Sequence, residues 1–225
     1  MATKTYQRVA NSLESDIRSG KFKPMSRLPP ERELASDFEV SRTTVREALL
    51  ALEAARIITI KDRSGAYVLP ISDEESTLLA RVESTPGPHE VLQLRRLIEP
   101  EACFQVAMSG SDAIIADIVA AYEANAAVPP DDTPEFHQSV RHYHMTIMKG
   151  AGNSLFVELM DYLWEQKSGP LWENWYMGTR SRHHRQTTIA NNREITEVIV
   201  ARRPQAARTA MERHIDGMVS RFLSY

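Results

Sequence analysis

Between Leu28 and Leu52 the chain reads LPPERELASDFEVSRTTVREALLAL, and few folds accommodate that order of signals. Leu34 and Phe38 stand four apart, on one face of a short helix that opens after Pro29 and Pro30. Proline suits a first helical turn, because its missing N–H has no helical partner there. Glu31 and Glu33 favour the positive end of that helix. Val40 fits a tight turn, and Ser41 fits the N-cap of a second helix. In that helix Val45, Ala48, Leu49 and Leu52 recur at three- and four-residue steps, which predicts a buried face. Arg42, Thr43 and Arg46 then fall on the opposite, outward side. Two helices joined this tightly predict a helix-turn-helix, whose second helix puts its N-terminal end into the major groove of DNA. An arginine there can pair bidentately with guanine, and a threonine methyl can touch thymine. Arg32 on the first helix suits a phosphate or a base at the edge of the site.

Arginines alone would read as solvated surface, so the flanking segments decide. Tyr6, Val9, Leu13 and Ile17 form an amphipathic stripe closed by Gly20. Downstream, Ile57–Ile60 and Ala66–Leu69 are β-prone runs around Lys61-Asp62-Arg63-Ser64-Gly65. That pattern predicts a hairpin, and with it a winged helix-turn-helix. Gly65 can take positive φ at the tip, letting Arg63 reach a phosphate or the minor groove.

LPPERELA, SRTTVREAL, LEAARIITI and RSGAYV follow one another in order, and residues 6–69 thereby resemble the DNA-binding domain of the GntR family of bacterial transcription regulators. The resemblance implies DNA contacts from Arg32, Arg42, Thr43, Thr44, Arg46 and Gly65; Ser41 and Arg63 complete the DNA-facing set. Arg56 departs from the pattern, since the family usually has glycine after the second helix. A left-handed backbone is expected there, at some cost to an L-residue.

Charge divides the chain. Residues 1–70 carry 12 Lys+Arg against 9 Asp+Glu, and the remainder 15 against 21. A basic head on an acidic body fits a small DNA reader joined to something that does not touch DNA. The single cysteine, Cys103, excludes an intrachain disulfide framework and fits the cytoplasm. It lies in an apolar helical run, which suits an inert buried thiol. No apolar run approaches the roughly 18 residues of a membrane span, and no signal-peptide core opens the chain.

From about residue 71 the β-patterned segments disappear. A linking helix is expected over Glu74–Glu83, broken by Ser84–Pro88. Further stripes follow: Val91, Leu94, Leu97 and Ile98 through Phe104 and Met108; Ile114, Ile115, Ile118, Val119 and Tyr122; Phe136–Met148; Leu155, Leu159, Tyr162 and Leu163; Ile189–Ala201; and Pro204–Leu223. The fold class expected is mostly α: a winged helix-turn-helix with a small β-hairpin wing over 1–70, a linker over 71–88, and an all-α antiparallel bundle over 89–225. Gln93–Glu101, Tyr143-His144 with Gly152-Asn153, and Asn192–His214 resemble the effector domain of the FadR-type branch of the same family, called FCD. This resemblance implies a homodimeric, ligand-responsive regulator.

Many members of that branch hold a divalent metal with one aspartate and three histidines. By resemblance those positions are Val140, His144, Asn192 and His214. Valine cannot ligate, and an asparagine carbonyl is a weak donor for borderline metals. His144 and His214 are left as candidate ligands for zinc, nickel or manganese. His137 lies roughly 10 Å from His144 along a helix, too far to share an ion. His142 points to another face, and Arg141 would add charge nearby if it faced inward. The preferred reading is a polar pocket, without metal or with a weakly held one, in which Arg95, His144, Asn192 and His214 hold a small anionic or polar effector, the arginine fork matching a carboxylate. The plainer alternative makes the histidines hydrogen-bonded core residues. Tyr162, Trp164, Trp172, Trp175 and Tyr176 are candidate wall residues or simply core, and His183-His184 reads as a solvated helix start or a second anion site.

The leading expectation is a transcription regulator, a repressor, that binds double-stranded DNA at a short pseudo-palindromic operator. By resemblance its effector would be a metabolite acid, with a sugar acid, amino acid, acyl thioester and aromatic acid all open, and no membrane is involved. A metal-dependent enzyme is disfavoured, since there is no HExxH, nucleophile elbow or phosphate loop. A non-specific architectural DNA binder is disfavoured by the net charge of −3.

Overall fold

The computed structural model describes residues 5–61, 64–70, 86–167, 171–173, 175 and 181–224. The linking helix expected over Glu74–Glu83 lies outside the described residues, as do Arg63 and Tyr176. Two compact units emerge, one of residues 1–89 with 168–178 and 223–225, the other of residues 90–167 with 179–222.

In the first unit α1 (Thr5–Arg18), α2 (Glu31–Asp37) and α3 (Arg42–Ala54) precede β1 (Ile58–Lys61) and β2 (Gly65–Val68). Tyr6, Val9, Leu13 and Ile17 of α1 are buried, as are Leu34, Val45, Ala48, Leu49 and Leu52. Each such aliphatic side chain contributes on the order of 2 kcal/mol. Ser41 caps α3, its hydroxyl accepting from Thr44 N–H at 3.1 Å. β1 and β2 pair antiparallel, Ile58 opposite Val68 and Lys61 opposite Gly65. The wing has a further edge: Leu28 N–H donates to Ala66 O (2.9 Å), Val68 N–H to Ser26 O (3.0 Å), and Arg27 lies opposite Tyr67. Glu53 anchors the hairpin to α3 by accepting from Ile60 N–H at 2.6 Å.

Three helix ends in this unit close the same way. At Gly20, Glu39 and Arg56 the backbone turns left-handed, with φ of +83°, +53° and +58°. At each, that residue's N–H bonds three residues back and the next N–H five residues back. This Schellman closure favours glycine, yet only the first site has one. The left-handed backbone expected at Arg56 is therefore present.

The second unit contains α4 (Pro88–Ser109, from residue 90), α5 (Asp112–Ala127), α6 (Pro134–Gly150), α7 (Ser154–Glu165), α8 (Arg182–Val200) and α9 (Pro204–Ser224). α5 packs against α6 and α8, and α6 against α7. Its core joins Ala102, Cys103, Val106, Ile118, Tyr143, Ile147, Met160, Ile195, Ile199, Met211 and Ile215. The architecture is thus mostly helical, a winged helix-turn-helix plus an all-helical domain.

Two expected stripes are rotated. On α4, Leu97 is 73% exposed and Met108 54%, while Val91, Leu92, Arg95, Glu99, Ala102, Cys103 and Val106 are buried. The polar pair goes inside because Arg95 and Glu99 neutralise each other one turn apart. On α7, Leu155 and Tyr162 are exposed, and Met160 and Leu163 are buried. α8 starts seven residues before the expected Ile189, capped by Ser181, whose hydroxyl accepts from His184 N–H. Among the described residues no helix is long and apolar enough to cross a membrane.

Candidate nucleic-acid interface and buried polar cluster

The first unit carries a cleft of about 360 Å³ between α2, α3 and the wing. Arg27, Arg32, Arg42, Arg46, Lys61 and Gly65 line it, with Glu31 as its acidic residue. Four of the residues assigned to DNA from the sequence thus meet on one concave surface. Ser41, Thr43 and Thr44 lie outside it, on the first turn of α3. The hydroxyls of Ser41 and Thr44 bond each other at 2.8 Å.

Arg46 requires a correction. The periodicity puts it on the outward face, yet it is only 8% exposed. Its Nη1 lies 3.1 and 3.2 Å from the two oxygens of Glu31, and Arg42 Nη2 lies 3.9 Å from the same carboxylate. Charge attraction across two helices holds it against the protein. Arg27 escaped the sequence reading. Its guanidinium lies against Gly65, where an added Cβ would stand 2.8 Å from Arg27 Nε. Gly65, at φ +102°, is favoured by the turn, whereas the Arg27 side chain could shift to admit a Cβ. The arginine one residue before the LPPERELA motif was the available signal.

The second unit buries a polar cluster. Arg95 and Glu99 on α4 are each 1% exposed, as is His144 on α6. Glu99 accepts from Arg95 Nε with one oxygen and from His144 Nδ1, at 2.5 Å, with the other. His144 stacks on His214 of α9, ring centroids 5.3 Å apart, and tilts against Trp164 at 5.8 Å. The Arg95 guanidinium lies 5.1 Å from the Trp164 ring and the Lys167 ammonium 3.4 Å. Asn192 is fully buried on α8. Its amide orientation follows from the network: Ser139 donates to Phe136 O, Asn125 Nδ2 donates to Ser139, and Asn192 Nδ2 donates to Asn125 Oδ1.

Burial raises the Glu99 carboxyl, but Arg95 and His144 outweigh it and hold it far below the usual carboxylate range. Burial lowers His144 against the opposing pull of Glu99, and lowers His214 further, with His144 and Arg95 adding to the shift. Burial and the Glu99 charge push the Cys103 thiol well above its usual value, so it is protonated and shielded. A neutral His144 that donates from Nδ1 presents a lone pair at Nε2. Among the buried side-chain atoms of the described residues that have no hydrogen-bond partner are Arg95 Nη1, His144 Nε2 and Asn192 Oδ1.

Of the sequence candidates, Arg95 and His144 meet through Glu99, and His214 stacks on His144. Glu99 itself was missed, although an Arg–Glu pair four apart on a helix was a readable signal. Arg141 faces outward and pairs with Asp161. Trp172 and Trp175 pack on each other at 5.1 Å in the first unit. Arg182 and Arg185 pair with Asp131 and Asp132, which leaves His183-His184 as a helix start.

The polar cluster does not fit a structural metal. Among the described residues no group of three His, Cys, Asp or Glu could hold an ion. The one buried carboxylate nearby, Glu99, already serves Arg95 and His144. Val140, one of the four ligand positions expected from the resemblance, has no donor atom. Two imidazoles are short of the four ligands of such a site.

Residues 5–68 match the family described as "Bacterial regulatory proteins, gntR family", and residues 90–217 match the FCD domain. The Uxu operon transcriptional regulator of Escherichia coli (strain K12) is 28% identical over 228 residues, covering 100% of this chain and 89% of its own. The HTH-type transcriptional repressor NanR of Klebsiella aerogenes is 30% identical over 222 residues, covering 94% and 83%. The Galactonate operon transcriptional repressor of E. coli (strain K12) is 28% identical over 159 residues, covering 68% and 69%. The solved structure of E. coli McbR/YncC aligns with TM-score 0.51 at 18% identity, covering 99% of this chain and 98% of that one, a likeness of fold. The chain therefore belongs to the GntR family, in the branch with an FCD domain, and is a metabolite-responsive DNA-binding transcription regulator rather than an enzyme.

Proposed function

We propose that the chain is a cytoplasmic repressor that binds a short pseudo-palindromic operator as a homodimer and responds to a small polyhydroxy acid. In this reading residues 1–70 read DNA, 71–88 link, and 89–225 bind the effector and dimerise. Arg42 and Arg46 read bases, assisted by Thr43, Thr44 and Ser41 on the same turn. Arg32, Arg63 and Gly65 meet the backbone or the minor groove. Two relatives named as repressors support the direction of control.

One observation carries the effector assignment: the polarity of three unsatisfied buried atoms. Arg95 Nη1 is a charged donor, whereas His144 Nε2 and Asn192 Oδ1 are acceptors. In this reading the three atoms face one ligand, which brings a carboxylate for the first and hydroxyl donors for the other two. Fatty or aromatic acids lack those donors. His214, stacked on His144, would close the site. No metal is needed in this reading, because Arg95 Nη1 supplies a charge-assisted donor while Nε stays on Glu99. One relative is named for the galactonate operon.

Titration calorimetry in EDTA tests this with D-galactonate and D-glucuronate against neutral D-galactose. Binding of at least one acid, none of the neutral sugar, and loss of binding in Arg95→Ala are expected. Binding that requires added zinc, or is equally strong for the neutral sugar, would contradict the assignment.

A further inference from the structure

We propose that Glu31 is a positioning residue for base reading, which holds Arg46 in the cleft and keeps it from serving as an indiscriminate phosphate contact. The inference rests on the assignment of Arg46 to base reading. Its basis is geometric. One guanidinium nitrogen of Arg46 lies 3.1 and 3.2 Å from the two Glu31 oxygens, and the arginine is 8% exposed. Glu31 is the acidic residue of a cleft otherwise lined by Arg27, Arg32, Arg42, Arg46 and Lys61. It also lies 3.9 Å from Arg42, so one carboxylate faces two arginines one turn apart on α3.

A carboxylate on a surface facing a polyanion weakens every phosphate contact near it. Its presence there needs a compensating use, and restraint of Arg46 supplies one. A loose arginine carries rotamer entropy that must be lost to dock on guanine. An arginine already held by Glu31 loses less. Its charge is also partly neutralised, so a single phosphate attracts it weakly. A guanine, which offers two acceptors at fixed spacing, rewards the restrained fork. Glu31 thus trades general affinity for discrimination.

The test uses the full-length protein, a duplex enriched by it from a random pool, and a scrambled duplex of the same composition. Binding is measured by fluorescence anisotropy across a salt series for wild type, Glu31→Gln, Glu31→Asp and Glu33→Gln. Glu33 lies on the same helix and is exposed, so its variant removes an equal charge without touching Arg46. Thermal melting confirms that each variant is folded. Glu31→Gln is expected to bind the scrambled duplex more tightly, with a salt slope steeper by about one. Its preference for the enriched duplex is expected to fall on the order of tenfold. Glu31→Asp keeps the charge but falls short of Arg46. It should hold scrambled-duplex affinity near wild type and still lose preference, which separates geometry from charge. Glu33→Gln should keep the wild-type preference. Equal preference in Glu31→Gln and wild type, or equal losses in Glu31→Gln and Glu33→Gln, would overturn the role. A wild-type protein with no preference for any duplex would instead overturn the DNA-reading assignment on which the role depends.

Discussion

Arg56 is an L-residue at φ +58° in a closure that glycine suits. The left-handed region costs a residue with a Cβ about 1–2 kcal/mol, partly offset by the larger entropy that glycine loses on folding. Arg56→Gly is therefore expected to stabilise the first unit by about 0.5–1 kcal/mol, read as a raised urea midpoint with an unchanged slope. A lower midpoint would show that the Arg56 side chain makes a contact worth more than the strain. Glu39 sits in the same geometry inside the helix-turn-helix itself, at φ +53°. There the left-handed residue lies in the turn between α2 and α3. Such departures are legible in the sequence where a family pattern marks the missing glycine, as at Arg56, and silent where none does, as at Glu39.

At the scale of elements, helices with a single buried stripe were readable and helices with buried charge were not. α1 follows its apolar spacing because local periodicity decides which face turns inward, and so do the apolar positions of α3, though not its charged ones. On α4 the same rule points to Leu97 and Met108, which are exposed. The buried face carries Arg95 and Glu99, whose stability inside depends on His144 of α6, a partner 45 residues away. Arg46 fails the rule for the same reason, through Glu31 fifteen residues away. The buried cluster also sets a pH dependence. The folded-state values of His144 and His214 are depressed below 6.5 by burial first. Below 6.5 the unfolded chain takes up protons that the folded chain refuses. Stability from this pair is therefore fully present above about pH 6.5 and is lost as pH falls through the depressed values. Glu99, also depressed, keeps its contribution until still lower pH. Urea midpoints measured from pH 7.5 to 5 should fall in wild type and fall less in His214→Gln. A flat wild-type profile would mean that the histidines are protonated inside the fold.

At the scale of the whole molecule, two kinds of site lie in two units of one chain, a basic cleft in residues 1–89 and a buried polar cluster in residues 90–222. The first was legible as a motif, since helix-turn-helix docking repeats in local sequence. The second was legible only as a set of positions. Its chemistry depends on which atoms find partners, and hence on Glu99, marked only by its spacing of four from Arg95, and on Asn125, which no spacing marked. Regulation requires that the effector bind the DNA-competent and DNA-incompetent arrangements unequally. The most direct measurement is a titration of full-length protein into its enriched duplex with and without saturating D-galactonate or D-glucuronate, for wild type and Arg95→Ala. The account predicts sequence-specific binding that at least one acid weakens at least fivefold in wild type, on the order of a typical coupling free energy, and leaves unchanged in Arg95→Ala. Wild-type binding that no polyhydroxy acid alters, or that Arg95→Ala leaves equally responsive, would contradict it.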